Sequence, residues 1–372
     1  MMDRCKDGAT LRLHRKHNMT PSETEKLPRS GQLLAVLAKY RHVLVVMHDN
    51  PDPDAIASAW AIRCLVEEKL RINANLIAGG AIVRAENRHM VDLLKAPVQL
   101  VQSIDVLEST ATVLVDCGTG AGNQLLTRAG LDPVAVIDHH LPSGPQRELP
   151  FVDIRPKVAA SATIVSSYLV EQAVEPGPEL ATALWYAIRT ETRGSEFHYT
   201  PLDHEILVWL TERAQPEMLA EIESAPLSRE YYSDLVAALG ETEIYGDIAI
   251  CMLPRAAGPE IVGEVADLLV RCEGLQSVFC AAISDGSLVI SVRTDVHGEN
   301  AAELLTKTLA GKGGCGGHLH RAGGKIPNVG DNLEVAAELC RELTTRWLEV
   351  CQVDANSQPA PLLTLHVGDK DA

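Results

Sequence analysis

The stretch VLVVMHDNPDPD (residues 43–54) joins an apolar run to a group of acids and a histidine. Two more apolar runs end in the same way, in TVLVD (residues 112–116) and VAVIDHH (residues 134–140). Short apolar runs bounded by polar residues are typical of strands inside a parallel sheet. The three stretches therefore predict buried strands whose carboxyl ends carry carboxylate and imidazole groups.

The segments between and after these runs predict helices. Residues 54–69 have helical periodicity and an acidic start, as expected of a crossover helix. Further helices are expected around 84–94, 161–171, 178–192 and 202–213. This alternation predicts an α/β fold with a doubly wound, mostly parallel sheet. The carboxyl ends of its strands would meet over one crevice, where ligands bind in such sheets.

The acids and histidines at these strand ends have ordinary explanations one by one. An aspartate after a strand is often a helix N-cap, as Ser161 and Thr163 are also interpreted at a later helix start, and a lone His-His pair is usually at the surface. Three such groups in one half of the chain instead favour a shared site, because neighbouring buried carboxylates resist ionisation unless cations neutralise them. The sequence therefore predicts two divalent metals, the usual means of hydrolysing phosphate esters.

Composition limits the class of protein. A chain of 372 residues, 46% hydrophobic and 22% charged, is long enough for two globular domains. Its nine cysteines include no CxxC pair, which excludes a zinc ribbon of that type and fits a reducing cytoplasm. No apolar stretch is long enough for a membrane span, and the first residues do not resemble a secretory signal. We therefore expect a cytoplasmic protein.

The net charge of −17 bears on the size of any nucleic-acid partner. Long nucleic acids bind to cationic tracks and aromatic stacking platforms, whereas this chain is acidic and only 4% aromatic. Nucleotides or very short oligonucleotides are favoured as partners. Acidity also simply keeps many cytosolic proteins soluble, so the charge alone does not decide the matter.

Domain boundaries follow from where the patterns change. We expect a disordered extension at 1–30 (with Met19 as an alternative first residue), a catalytic domain at 31–215, a helical linker at 216–244, a smaller mixed α/β domain at 245–352 and a flexible tail at 353–372. The second domain contains predicted strands at 247–253, 276–283 and 287–293, and Asp285-Gly286 predicts a hairpin between the last two.

A glycine-rich stretch, GKGGCGGHLHRAGG (residues 311–324), is the most informative part of the second domain. Glycines let the backbone approach an anion closely, and His318 or Arg321 can add positive charge. Between 291 and 330, five Lys or Arg residues face three acids, which gives this part a local charge of +2 in an acidic protein. The stretch therefore predicts a phosphate-binding loop, to which Arg293 would contribute.

Taken together, the chain resembles the DHH phosphoesterases, in particular the two-domain branch with a DHH-associated C-terminal domain that includes nanoRNases and RecJ-type exonucleases. The matching motifs, in chain order, are His48-x-x-x-Asp52-x-Asp54, Asp116, Asp138-His139-His140 and Gly316-Gly317-His318 with Ala322-Gly323. The resemblance implies an active site in the cleft between the two domains. It covers about residues 35–330 of the sequence.

The resemblance also implies a role for each site residue. The first cation would take His48, Asp52 and a bridging Asp116, and the second would take Asp54, Asp116, His139 and Glu191. Position 191 is usually aspartate in the family, so metal preference and rate are open here. His140 and Asp138 would be catalytic. Substrate would be held by Arg84, Arg293, Gly316, Gly317, His318 and Arg321. The implied cofactor is a pair of Mn²⁺ ions, which Mg²⁺ could replace.

These implications lead to an expected function. The chain is expected to be a metal-dependent phosphodiesterase that hydrolyses very short oligonucleotides to mononucleotides and also acts on phosphoadenosine phosphate. The alternatives are a phosphodiesterase for cyclic or linear signalling dinucleotides and a weakly active, nucleotide-binding regulatory protein. A pyrophosphatase is disfavoured by the Gly-Gly-His motif. Family members are often dimers, so a homodimer is expected.

Overall fold

A computed structural model gives the architecture of the chain and describes residues 27–141, 148–192, 199–256, 258–295, 297–317, 319–330, 333–353 and 357–363. These residues form two compact units. The first unit contains the chain up to Ala81 together with Met90–Leu219. The second contains Ile82–His89 and the chain from Ala220 onward, so a short segment following a strand of the first unit belongs to the second.

The first unit is built on a parallel sheet of six strands. The strands are β1 (His42–Val46), β2 (Ala74–Ala78), β3 (Val98–Leu100), β4 (Thr110–Val115), β5 (Ala135–Asp138) and β6 (Phe151–Ile154). The helices that belong to or border this unit are α1 (Arg29–Leu37), α2 (Pro53–Leu70), α3 (Ala85–Leu94), α4 (Leu125–Ala129), α5 (Ser161–Glu171), α6 (Pro178–Thr192), α7 (Pro201–Thr211) and α8 (Pro216–Glu223). The strand order is β3-β2-β1-β4-β5-β6, the doubly wound arrangement that the sequence predicts.

Helix α2 shows why the sequence folds as it does at the first strand end. Asp52 is its N-cap and accepts a hydrogen bond from the backbone N–H of Ala55, while Pro53 occupies the first helical position, where its missing N–H costs nothing. The apolar side of the helix packs against α5 and α6. The loop between β1 and α2 is therefore fixed at both ends, which limits where its acids can point.

The second unit has a mixed sheet of seven strands. Its strands are β7 (Thr242–Tyr245), β8 (Ile248–Leu253), β9 (Ser277–Ser284), β10 (Ser287–Thr294), β11 (Gly314–Gly317), β12 (Arg321–Ile326) and β13 (Ala360–Pro361). Its helices are α9 (Arg229–Gly240), α10 (Glu260–Leu269), α11 (Ala301–Leu309) and α12 (Leu333–Val350). One apolar cluster joins the sheet to α11 and α12, and another joins it to α9 and α10. The predicted α/β class, with a parallel sheet followed by a mixed one, is confirmed.

The glycine-rich stretch differs from the predicted loop. Residues 314–317 and 321–326 form an antiparallel pair, β11 and β12, at the edge of the sheet. Gly317 has a φ of +152°, and a Cβ there would clash with the carbonyl oxygen of Arg321. Glycine at this position is thus required by the close approach of the two strands, which gives it a structural reason besides anion binding.

Other segments differ from the expectation in detail. The polar helical segment near 216–239 is two helices, α8 and α9, and α9 packs on α10. Helix α1 begins at Arg29, inside the expected extension, of which residues 1–26 lie outside the described residues. Ala360–Pro361 pairs with β7, within the expected tail. Within the described ranges, no helix combines the length and apolarity that crossing a membrane requires.

Candidate functional site

The carboxyl ends of β1, β4 and β5 are adjacent, because these strands are neighbours in the sheet. The strand order reverses between β1 and β4, and this reversal point is where open α/β sheets bind ligands. His48 follows β1, Asp116 follows β4, and Asp138 ends β5. The three sequence stretches that end in acids and histidines thus converge on one place in the first unit.

Asp116 connects two groups of side chains within this cluster. Its Oδ2 lies 3.7 Å from Nε2 of His48, and its Oδ1 lies 3.6 Å from Nε2 of His139. The residue is only 3% exposed, and its backbone has a φ of +59°, a left-handed conformation that is uncommon outside glycine. Backbone strain of this kind concentrates at functional sites, because the surrounding structure must enforce it.

Each oxygen of Asp116 faces a different histidine, and each of these histidines also approaches a second aspartate. In the first half-site, Nε2 of His48 lies 3.8 Å from Oδ1 of Asp52. In the second half-site, Nε2 of His139 lies 3.7 Å from Oδ2 of Asp54. The two half-sites share Asp116, as the family resemblance implies for a bridging ligand.

The spacing of these donor atoms fits divalent cations. An ion with ligand distances of about 2.1 Å separates adjacent ligands by about 3 Å and opposite ligands by about 4 Å. The distances of 3.6–3.8 Å among the imidazole nitrogens and carboxylate oxygens fall within that window and exceed a hydrogen bond. Mixed carboxylate and imidazole ligands suit a transition-metal dication such as Mn²⁺.

The orientation of the histidines is also set by the protein. Nδ1 of His48 lies 2.8 Å from the backbone carbonyl oxygen of Asp49, so Nδ1 carries the donated proton and Nε2 remains available as a ligand atom. His139 makes a hydrogen bond with the backbone of Val158. These hydrogen bonds fix the orientation of the two imidazole rings that are proposed to bind cations.

The start of α5 holds two buried carboxylates of the site, those of Asp54 and Asp116. Asp54, 1% exposed, accepts hydrogen bonds from the backbone N–H groups of Ser161 (2.8 Å) and Ala162 (2.7 Å). The hydroxyl of Ser161 donates to Oδ1 of Asp116 at 2.8 Å. The sequence suggested that Ser161 is a helix cap, and this interpretation is wrong. The N-cap residue of α5 is Ala160, which makes no side-chain capping bond.

Asp203 in turn fixes the start of α5. It is fully buried and accepts hydrogen bonds from the backbone N–H of Ala159 (3.1 Å) and the hydroxyl of Thr163 (2.6 Å). The same carboxylate accepts the N–H of Thr200 and caps α7. The roles of Ser161 and Asp203 were not predicted from the sequence. Both depend on contacts between segments that are far apart in the chain, and no local sequence pattern indicates such contacts.

The charges of the cluster are strongly coupled. Burial, followed by the negative charges of Asp116 and Asp52, raises the pKa of Asp54 well above its ordinary value. Burial alone would lower the pKa of His48, but hydrogen bonds with Asp116 and Asp52 raise it well above that of a free histidine. Burial opposes ionisation of Asp116 too, yet the hydrogen bond with His48 and the charges of His140 and His139 lower its pKa. Protons on these groups compensate charge that divalent cations would otherwise neutralise.

His140 and Asp138 form a distinct pair beside the half-sites. Nδ1 of His140 lies 2.7 Å from Oδ1 of Asp138, and the backbone N–H of His140 donates to the same oxygen at 3.1 Å. Burial alone would lower the pKa of His140, but this hydrogen bond and the charge of Asp116 raise it to about 9. The side chain is 37% exposed, so a protonated imidazole is accessible at neutral pH. Its geometry suits a proton donor.

Glu191 lies in the last turn of α6 and is half-buried. Its negative charge contributes to the raised pKa of Asp54, which places it towards the second half-site. Among the described residues, the acid and histidine groups whose ligand atoms lie within 4.8 Å of one another are His48, Asp52 and Asp116, and Asp116, His139 and His140. Neither Glu191 nor Asp54 belongs to these groups, and His140 stands in the second one, so the roles of Glu191 and Asp54 as ligands stay predictions.

The residues expected to bind substrate lie in the second unit. Arg84 and Arg293 both contact the carboxylate of Asp267, and Arg321 is the direct partner of Arg293 in the pairing of β10 with β12. Gly316 and Gly317 lie in β11, and His318 lies outside the described residues. Asp267 was missed, because a single acid in an amphipathic helix has the pattern of a surface residue.

Comparison with known proteins now identifies the first unit. Residues 42–188 match the DHH family, N-terminal domain. These residues therefore form a DHH-family N-terminal domain. The matched range contains His48, Asp52, Asp54, Asp116 and His139, and the family resemblance drawn from the motifs is confirmed.

Two curated relatives of this DHH protein extend over most of the chain. An uncharacterised protein of Methanocaldococcus jannaschii is 32% identical over 287 residues, which cover 77% of this chain and 58% of that protein. The cyclic-di-AMP phosphodiesterase GdpP of Geobacillus thermodenitrificans is 24% identical over 323 residues, which cover 81% of this chain and 47% of that protein. The chain thus spans about half the length of the curated relatives it matches.

Solved structures share the fold of this DHH protein. An exopolyphosphatase-related protein from Bacteroides fragilis has a TM-score of 0.64 at 15% identity, covering 87% of this chain and 97% of its own. RecJ from Thermus thermophilus, solved in complex with Mn²⁺, has a TM-score of 0.51 at 15% identity, covering 87% of this chain and 54% of its own. At such identities the likeness concerns the fold alone.

Proposed function

We propose that the protein is a divalent-metal-dependent phosphodiesterase that hydrolyses very short oligonucleotides to mononucleotides in the cytoplasm, and that it also acts on phosphoadenosine phosphate. The observation that carries the proposal is Asp116. Its two oxygens lie 3.7 and 3.6 Å from two separate histidines, each of which also lies 3.7–3.8 Å from a further aspartate, at the reversal point of the parallel sheet. A shared carboxylate between two half-sites is the arrangement that two-metal phosphoesterases use.

The protein groups have separable roles in this chemistry. A pair of divalent cations, when bound, supplies a hydroxide nucleophile at neutral pH and neutralises charge that develops at phosphorus. His48 and Asp52 would hold one cation, His139 and Asp54 the other, and Asp116 both. The imidazolium of His140 would donate its proton to the leaving oxygen, while Asp138 keeps that ring charged and oriented.

Substrate recognition is assigned to the second unit. Arg84, Arg293 and Arg321 would bind a phosphate group, and Gly316, Gly317 and His318 would complete the contact. A guanidinium group binds phosphate by two parallel hydrogen bonds, which gives both affinity and orientation. The net charge of −17 supports a short substrate, because the field of the whole chain opposes a long polyanion.

The cation is proposed to be Mn²⁺, with Mg²⁺ as a weaker substitute. Each half-site combines one imidazole nitrogen with carboxylate oxygens, and imidazole ligands favour transition metals over Mg²⁺. Glu191 would complete the second half-site from α6. A glutamate there reaches one methylene further than the aspartate usual in the family and would still present a carboxylate oxygen.

A competition assay tests the proposal. Purified protein with Mn²⁺ would receive an equimolar mixture of di-, penta- and twenty-residue RNA, phosphoadenosine phosphate, cyclic di-AMP and pyrophosphate, and each would be followed by chromatography. The fastest loss should be that of the di- and pentanucleotide to mononucleotides. Preferential loss of the twenty-residue RNA or of pyrophosphate would contradict the proposal.

A second candidate function is hydrolysis of cyclic or linear signalling dinucleotides. It is favoured by the relative named as a cyclic-di-AMP phosphodiesterase, which aligns with 81% of this chain. In the same assay, faster loss of cyclic di-AMP than of the dinucleotide would select it. Retention of a nucleotide without any turnover would instead indicate a regulatory binding protein.

A further inference from the structure

An arginine of the first unit binds an acid that the proposed chemistry does not use. Arg128, in α4, donates from Nη2 to Oδ1 of Asp49 at 2.9 Å and from Nη1 to Oδ2 of the same carboxylate. Asp49 directly follows His48, whereas Arg128 lies 79 residues further along the chain. Two parallel hydrogen bonds fix both the distance and the plane of a carboxylate, so this pair is better defined than an ordinary surface ion pair.

A glycine provides the space for this ion pair. Gly79 follows β2, the neighbour of β1 in the sheet. A Cβ at this position would overlap Oδ1 of Asp49 and would lie 2.7 Å from Nη2 of Arg128. The backbone of Gly79 is not in the left-handed region, so its conformation alone does not require glycine. The ion pair thus accounts for the absence of a side chain at this position.

The backbone around Asp49 is held by segments on two sides. On one side, the N–H of Asp49 donates to the carbonyl oxygen of Asn123 at 2.7 Å. On the other side, the N–H of Asn50 donates to the carbonyl oxygen of Gly79 at 3.1 Å, and its side chain accepts a hydrogen bond from the N–H of Ala81 at 2.9 Å. Asn50 has a φ of +55°, which surrounding contacts must enforce. The ion pair adds the side-chain contact to these backbone contacts.

The carbonyl group of Asp49 is the link to the first half-site. Nδ1 of His48 lies 2.8 Å from this oxygen. The ring is thereby turned so that Nε2 faces Asp52 and Asp116, at 3.8 and 3.7 Å. A displacement of Asp49 would move the carbonyl group away from the ring. The ion pair with Arg128 holds the side chain of the same residue, so it opposes that displacement.

The sign of its charge distinguishes two possible roles for Arg128. The guanidinium group is a cation close to a cluster that is proposed to bind cations. If it acted only through its charge, it would weaken cation binding, and its removal would strengthen that binding. If it acts by holding Asp49, its removal weakens cation binding. The side chain is 42% exposed, so screening by solvent limits the effect of its charge.

We propose that Arg128, Asp49 and Gly79 are positioning residues of the first half-site, which hold the imidazole of His48 in its ligand orientation through the carbonyl group of Asp49. This inference rests on the proposed function, because it concerns one cation of the proposed pair. The two half-sites then have separate supports. An ion pair supports the first, whereas backbone N–H groups at the start of α5 hold Asp54 in the second. Loss of the ion pair weakens one cation and leaves the other bound.

Calorimetry with Mn²⁺ tests this inference on Arg128→Gln. The affinity for one of two Mn²⁺ ions should fall by about tenfold, while the affinity for the other stays within about twofold of the wild type. Arg128→Lys keeps the charge without the two parallel hydrogen bonds, so it should also lose affinity, although less. The control is Arg213→Gln, which breaks another exposed two-bond pair of the same unit, with Glu175, and should change neither affinity. An unchanged or increased affinity in Arg128→Gln would overturn the inference.

A second comparison assigns the effect to His48. His48→Ala removes the ring that the ion pair is proposed to orient, so Arg128→Gln should have no further effect on Mn²⁺ binding in that background. An equal loss with and without His48 would contradict the inference. Gly79→Ala should weaken the same Mn²⁺ ion as Arg128→Gln, because its methyl group separates the ion pair without removing a charge. Wild-type affinity in this variant would also contradict it.

Mn²⁺ binding separates this inference from the proposed function, because it requires no turnover. A wild type that binds two Mn²⁺ ions but hydrolyses no oligonucleotide would overturn the proposed function, while the selective loss in Arg128→Gln would still support the inference. A wild type that hydrolyses dinucleotides, together with an Arg128→Gln variant of unchanged affinity, would overturn the inference alone. A wild type that binds no Mn²⁺ would overturn both.

Discussion

The two clusters of charged residues in this protein are built from opposite materials. In the first unit, buried carboxylates are held by neutral donors, the backbone N–H groups and hydroxyl at the start of α5. In the second unit, the buried guanidinium group of Arg293 and the partly exposed one of Arg84 both contact one carboxylate of α10. The donors at the start of α5 orient the carboxylates without changing their charge. The carboxylate of α10 orients two guanidinium groups but carries only one negative charge. This difference agrees with the proposal that the first cluster binds cations and that the arginines bind a phosphate group.

The largest effect is expected where one residue serves both half-sites. Asp116→Asn keeps the shape of the side chain but removes the charge that two cations would share. We expect kcat/KM in Mn²⁺ to fall by on the order of 10³-fold, because both half-sites lose a ligand at once. Equilibrium dialysis should show loss of Mn²⁺ from both. The control is Asp105→Asn, an exposed acid of the same unit. A variant that still binds two Mn²⁺ ions at wild-type affinity would contradict the bridging role.

A smaller effect is expected from the neutral hydroxyl group of Ser161, which orients Asp116. Ser161→Ala removes the hydroxyl that donates to Asp116 at 2.8 Å but no charge. We expect Mn²⁺ affinity, measured by calorimetry, to fall by about 10–100-fold, as is typical for contacts that orient a ligand. Ser167→Ala is the matched control, since Ser167 lies in the same helix and donates to the carbonyl of Ile164 instead. If both variants bind Mn²⁺ equally well, neutral donors do not organise the first cluster.

The charge balance of the first cluster predicts a dependence of Mn²⁺ binding on pH. Hydrogen bonds with Asp116 and Asp52 outweigh burial and raise the pKa of His48 well above the ordinary histidine value, so the ring keeps its second proton to a higher pH than a free histidine does. A cation must displace that proton, and affinity should therefore rise by about tenfold per pH unit below the pKa of His48. Calorimetry in two buffers of different ionisation enthalpy would count the protons released. An affinity independent of pH across the neutral range would show that no proton is displaced.

The smallest effect is expected at Glu191, where the family usually has aspartate. Glu191→Asp should change kcat by only a few-fold, because either carboxylate can face the second half-site from α6. Steady-state rates with Mn²⁺ would measure this, with Glu179→Asp in the first turn of the same helix as a control. A gain of more than about 100-fold would mean that the natural glutamate weakens the site. The regulatory interpretation would then be preferred.

The parts of the fold that could be predicted from sequence are those with a strong local cause. β1, β4 and β5 are apolar runs that end in acids, and the parallel sheet places those ends together. The turn at Asp285 and Gly286 has positive φ at both residues, 48° and 67°, as an Asp-Gly hairpin requires. In these segments, local preference and tertiary structure agree.

The parts that could not be predicted depend on contacts between distant segments. The strand pair β11–β12 was not predicted, because glycines have a low strand propensity. They are tolerated here because the two strands pack closely at the edge of the sheet. Strand β6 is an edge strand of only four residues, which is too short to show a period in the sequence. Ser161, Asp203 and Asp267 act on partners from 26 to 183 residues away in the sequence. No periodicity or motif carries that information.

The strand connections of the first sheet have a consequence for the lifetime of the protein. The side chains that would hold cations follow β1, β4 and β5 or open α2, and they meet only when the crossovers between these parallel strands are in place. Cation binding at the proposed site would therefore stabilise the first unit as a whole against opening. When divalent cations are scarce, a larger fraction of molecules would become open to proteases, so the amount of protein in a cell would follow its metal supply.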